Sequence, residues 1–99
     1  MRRPSPPKTL RAADQIGQYV LAWRKLQGLT ADQVCQRAGI SRPTLRKLEK
    51  GDPTVAMETF LNVMRALGQL DAVVAALDPY DSELGRARAD LLLPQRVRR

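Results

Sequence analysis

The chain has 99 residues, with 17 Lys and Arg against 10 Asp and Glu, a formal net charge of +7 and a pI near 10.5. That length suits one domain able to close a small helical core, and that charge favours a polyanionic partner, either nucleic acid or an acidic membrane surface. One cysteine excludes an intramolecular disulfide, four aromatics are too few for a platform that stacks single strands, and no apolar run approaches a membrane span.

The charge is unevenly placed: residues 1–50 sum to +8, residues 51–85 to −5 and residues 86–99 to +4. Met1 to Thr9 carries Arg2, Arg3 and Lys8 among three prolines, which predicts an extended, mobile arm. Such an arm is either a solvated tail or a reach into the DNA minor groove. No apolar segment follows this basic start, so it does not read as a secretory signal. A first helix is expected from near Leu10 or Asp14 to Gln27. Its core stripe is Ala13, Ile16, Val20, Trp23 and Leu26, with Trp23 inside rather than at a binding surface. Gly28 ends it, and Leu29 fills the junction with the next helix.

Thr30 to Ala38 reads as a second helix. Thr30 followed by Gln33 has capping-box spacing, and Ala31, Val34, Cys35 and Ala38 form one apolar stripe. With no histidine in the chain, Cys35 reads as a small buried thiol rather than a ligand or nucleophile. Gly39 suits a left-handed helix end, and Ser41 caps a third helix over Arg42 to Lys50, with Pro43 in its first turn. Leu45 and Leu48 point one way; Arg42, Thr44, Arg46, Lys47 and Lys50 mostly point another. Two helices joined by a glycine-bearing turn, the second basic outside and apolar inside, describe a helix-turn-helix.

Gly51-Asp52-Pro53 is a turn, followed by a fourth helix from about Met57 to Leu67 with Met57, Phe60, Leu61, Met64 and Leu67 as its core face. Gly68 ends it. Leu70, Val73, Val74 and Leu77 mark a short fifth helix stopped by Asp78-Pro79. In the tail, Asp81-Ser82-Glu83 can start a helix that Gly85 weakens and Pro94 stops. Leu84, Leu91, Leu92 and Leu93 need a partner, whether the body, a second copy or another protein, and Gln95 to Arg99 forms a basic end. The expected organisation is an arm over 1–9, a domain over 10–77 and an extension over 78–99. The fold class is all-α: a compact five-helix repressor-like helix-turn-helix domain.

The run L-T-x-x-Q-V-x-x-x-A-G-I-S-x-P-T-L-x-x-L-E-K-G, Leu29 to Gly51, resembles the Xre-type helix-turn-helix domains of phage repressors and bacterial antitoxins. Its continuation, Gly51-Asp52-Pro53 into Glu58-Thr59-Phe60-Leu61 and Leu67-Gly68, looks most like the HipB-type antitoxin branch. The resemblance spans roughly Leu10 to Leu77. It implies base-reading positions at Arg42, Pro43, Thr44 and Lys47, and an ion pair between Arg24 and Glu49. Arg42 has the fork geometry for guanine O6 and N7, and Lys47 can approach the same acceptors. Candidate phosphate contacts are the helix start at Thr30 together with Lys50, Arg37 and Arg46. Ala31 stands where many members carry a phosphate-touching glutamine, and Ala56 where they often carry a capping serine.

Two functions follow as expectations. One is a homodimeric repressor that binds double-stranded operator DNA as an inverted repeat. The other is an antitoxin that restrains a partner enzyme and uses DNA binding for autoregulation. The resemblance implies a HipA-type serine/threonine kinase as that partner, with a ribonuclease toxin second. Neither function calls for a catalytic residue, a metal or a cofactor, and both expect a cytoplasmic protein held at the nucleoid by its operator.

Overall fold

The structure, a computed structural model, describes residues 3–93. Arg2, Pro94 and the basic end Gln95 to Arg99 lie outside the described residues. The described chain is all-helical: α1 Pro7–Leu26, α2 Ala31–Ala38, α3 Arg42–Glu49, α4 Met57–Ala66, α5 Leu70–Ala76 and a short α6 Glu83–Ala87, with 3-10 turns at Pro79–Asp81 and Ala89–Leu92.

α1 begins at Pro7, before the expected start at Leu10 or Asp14, so residues 7–9 are helix rather than arm. The reason is local. A proline at the first helical position lacks only an N–H that would have no intrahelical acceptor, and its fixed φ is already helical. α2 starts from a complete capping box: Thr30 Oγ1 accepts the Gln33 N–H at 3.1 Å, and Gln33 Oε1 accepts the Thr30 N–H at 2.8 Å. Ser41 Oγ caps α3 by accepting the Thr44 N–H at 3.3 Å. Each such cap contributes about 1 kcal/mol. α4 starts at Ala56 without a side-chain cap.

The core consists of Val20 from α1, Val34, Cys35 and Ala38 from α2, Leu45 and Leu48 from α3, and Val63, Met64 and Leu67 from the α4 end of the fold. Leu29, Phe60, Leu70 and Val73 pack against it. α1 rests on α3 and α2 on α4. Two side chains reach distant backbone carbonyls: Gln27 Nε2 donates to the Leu67 carbonyl at 2.7 Å, and an Arg65 guanidinium N–H to the Arg37 carbonyl at 3.1 Å.

Several expected core residues are exposed instead. Trp23 and Ile16 are 40% and 41% exposed, and Leu26 and Met57 far more so. The cause for α1 is Gly17, which is buried against the end of α3 where a Cβ would stand 2.6 Å from the carbonyl oxygens of Leu48 and Glu49. That close approach centres the helix contact on Gly17, Val20 and Arg24. Ile16 and Trp23 each lie one residue, about 100°, round the helix from Gly17 and Arg24. They line the wall of a shallow apolar groove with Tyr19, Phe60, Met64 and Val73. Val63, fully buried, takes the place on α4 that Met57 was expected to share.

The tail folds on itself. Ser82 Oγ donates to the Pro79 carbonyl at 2.7 Å and accepts the Gly85 N–H at 2.9 Å, while an Arg86 guanidinium N–H donates to the Tyr80 carbonyl at 2.8 Å. A Cβ on Gly85 would collide with the Pro79 carbonyl. The glycine expected to weaken this helix is therefore what lets it close against the preceding turn. Leu84, Leu91, Leu92 and Leu93 all remain exposed in the single chain. Among the described residues no helix is long and apolar enough to cross a membrane, and no group of side chains could hold a metal ion.

Candidate nucleic-acid interface

The α2–α3 turn is set by its own sequence. Gly39 takes φ 69°, ψ 37°, and the amides of Gly39 and Ile40 return to the Cys35 carbonyl. Val34, Cys35 and Ala38 on one side and Leu45 and Leu48 on the other lock the two helices together. Burial pushes the Cys35 thiol above its ordinary pKa, as desolvation of a thiolate requires. With one face of α3 fixed inside, Pro43, Arg46, Lys47 and Lys50 are left exposed.

Arg42, at the first position of α3, has an Nη1 group that donates to Asp32 Oδ1 at 2.8 Å. Hydrogen bonding to Asp32, and its charge, hold the guanidinium still more firmly protonated than usual. Thr44 Oγ1 lies 2.8 Å from Ser41 Oγ, so its hydroxyl belongs to the cap and its methyl is the part left for other contacts. The side chain and amide of Thr30 are both consumed by the capping box. The amides of Ala31 and Asp32 are thus the ones left at the start of α2.

A cleft of about 390 Å³ runs between α1, the start of α2 and α3. Arg42, Arg46 and Lys50 line it together with Ala31 and Glu49. The one carboxylate in it is already engaged: Arg24 Nε meets Glu49 Oε2 at 2.8 Å and Arg24 Nη2 meets Oε1 at 3.3 Å, with Arg24 Nη1 on the Leu29 carbonyl at 3.3 Å. The two side chains are only 15% and 14% exposed. Among the described residues Arg46, Lys47 and Lys50 take part in no ion pair, so their charge faces outward unneutralised. Arg37 stands apart from this cluster. It lies about 140° round α2 from Asp32, and its carbonyl receives Arg65 of α4.

Sequence reasoning missed Asp32. The available signal was that residues 1–50 hold only three acids among eleven bases. Two of the three, Asp32 and Glu49, turn out to hold arginines.

A family model described as a helix-turn-helix domain matches residues 8–77. No curated protein and no solved structure matches the chain. Matched over most of its length, and built around two capped helices with the second presenting a basic face, the chain belongs to the helix-turn-helix domain family, a class of DNA-binding regulators.

Proposed function

We propose that the protein is a sequence-specific repressor that reads the major groove of double-stranded DNA with α3, as a homodimer on an inverted repeat. The observation that carries this is the outer face of α3, where Arg46, Lys47 and Lys50 are exposed and unneutralised beside Arg42. Arg42 and Lys47 address base edges, and Pro43 and the Thr44 methyl offer apolar contact to a thymine methyl. Arg46, Lys50 and the open amides of α2 hold phosphates, with Lys50 and Arg46 drawing one DNA strand into the cleft. Arg37 adds only to the general field. One helix of eight residues covers a single half-site, so a second copy supplies the other about 34 Å away.

The exposed leucines of the tail favour a second role alongside the first. Leu84, Leu91, Leu92 and Leu93 provide a surface for the second copy; an alternative occupant is a toxin, in which case the chain is the antitoxin and autoregulator of a toxin operon. The Xre-type and HipB-like pattern of the sequence supports that alternative and a HipA-type kinase, before a ribonuclease, as the toxin. Either role places the protein in the cytoplasm, at the nucleoid when operator-bound.

Titration of duplex DNA at several salt concentrations tests the main proposal. Affinity that falls steeply with salt, and a preferred sequence recovered from a randomised duplex pool as an inverted repeat, are the expected results. Recovery of no preferred sequence would remove the repressor function.

A further inference from the structure

Resting on DNA reading by α3, we infer that Asp32 is a positioning residue: it aims the Arg42 guanidinium at one base and withholds it from the phosphates. The pair spans the helix-turn-helix, with Asp32 in the first turn of α2 and Arg42 at the start of α3. Both ends are anchored. The Thr30–Gln33 box fixes the start of α2, and the Ser41 cap fixes the start of α3. The two side chains therefore project from rigid positions, and the 2.8 Å bond settles where a long, flexible arginine points.

The geometry leaves the reading edge open. Only Nη1 of Arg42 is engaged, on Asp32 Oδ1. The Nε–Nη2 edge, two parallel donors, stays free and can pair with guanine O6 and N7. Stability does not account for the pair. Both side chains are largely exposed, at 53% and 77%, and an exposed ion pair contributes little to folding. Affinity does not account for it either, since a carboxylate on a face meant for a polyanion repels phosphate. Of the other acids in this half, Asp14 bonds Gln18 on α1 and Glu49 is enclosed with Arg24. What an exposed acid can add here is direction. It costs binding to all DNA and returns preference for one sequence.

That trade gives the test its sign. The full chain and its variants Asp32→Ala, Asp32→Asn, Arg42→Ala and Asp71→Ala are compared by selection from a randomised duplex pool and by titration of a random-sequence duplex at fixed salt. Wild type is expected to select a guanine at a fixed place in each half-site. Arg42→Ala loses that guanine and binds random duplex more weakly. Asp32→Ala also loses it, with preference for the selected over the random duplex falling by about tenfold or more, yet binds random duplex several-fold more tightly. Asp32→Asn, still able to accept one bond, falls between. Asp71→Ala removes an equal charge from α5 and leaves the selected sequence unchanged. If Asp32→Ala keeps the guanine that Arg42→Ala loses, Asp32 does not position Arg42, although base reading by Arg42 stands. If Arg42→Ala keeps it as well, Arg42 is not a base reader and both ideas fall.

Discussion

A Cβ on Gly17 would stand 2.6 Å from the carbonyl oxygen of Glu49, so α1 meets the end of α3 at a point where only a hydrogen fits. The obstacle is backbone, with no flexible side-chain end to swing aside. Helix propensity alone would favour Gly17→Ala by about 1 kcal/mol, but overlap with a fixed carbonyl outweighs it. Gly17→Ala is expected to destabilise the fold by roughly 1–3 kcal/mol in urea melts. A stabilised variant would show that α1 can lift away from α3 at no cost.

The same junction holds the Arg24–Glu49 pair, bidentate and about one-seventh exposed on each side, at 15% and 14%. Fully buried pairs cost about 3–5 kcal/mol when one partner is removed, and exposed ones about 0–1. A double-mutant cycle with Arg24→Ala and Glu49→Ala should give a coupling between those limits, near 1–3 kcal/mol by the same bounds. Zero coupling would mean that the pair orients the two helices without stabilising them.

Arg46 and Lys50 in the cleft should act differently from the cations aimed at bases. Lys50→Ala and Arg46→Ala are each expected to weaken binding to every duplex alike and to lower the salt slope by about one unit. Lys47→Ala should reduce discrimination instead, by roughly 1–3 kcal/mol. Arg37→Ala, away from the cleft, should change the slope little. Equal losses on selected and random duplex for Lys47→Ala would move that residue to the phosphate group.

Cys35 predicts a pH dependence. Burial raises the pKa of its thiol above the ordinary value, so the folded state holds the proton more tightly than the unfolded chain does. The resulting stability is fully present below the unfolded pKa and is lost as pH rises through the folded one. Urea midpoints of wild type should therefore fall relative to Cys35→Ala as pH is raised from about 7 to about 10. Parallel pH profiles for the two proteins would show that the thiolate is accommodated without loss.

A chain ending at Pro79 keeps every core residue of α1 to α5 and should retain its cooperative melt. It should lose dimer stability in sedimentation, because burying each of Leu84, Leu91, Leu92 and Leu93 is worth roughly 1.5–3 kcal/mol. A truncated chain that dimerises like the full one would release the leucines from that role.

What was legible in the sequence is what short-range chemistry decides. Thr30 with Gln33, Ser41 with Thr44, and the left-handed Gly39 with the Cys35 carbonyl each act within four residues, and together they mark the helix-turn-helix. Pro7 was misleading because proline breaks helices everywhere except at their first turn. Gly17 carries no local signal; its need for space comes from Leu48 and Glu49, more than thirty residues on. The faces of α1 and α4 slipped for the same reason, since an apolar stripe gives a helix several possible sides and the partner helix selects one. Asp32 and Arg42 meet only once the turn has folded.

The self-folded tail described above has a kinetic consequence. The bonds that shape it, Tyr80 to Asp78, Ser82 to Pro79, Gly85 to Ser82 and Arg86 to Tyr80, span at most six residues. The body is closed by Arg24 with Glu49 and Gln27 with Leu67, which are 25 and 40 residues apart. Loops of about ten residues close in about 10–100 ns, whereas contacts over longer separations wait on more chain entropy. The bonds of the tail can thus close on a shorter timescale than those that join the helices of the body. Each of those tail bonds joins two residues of the tail itself, so none of them depends on a side chain of the helical body.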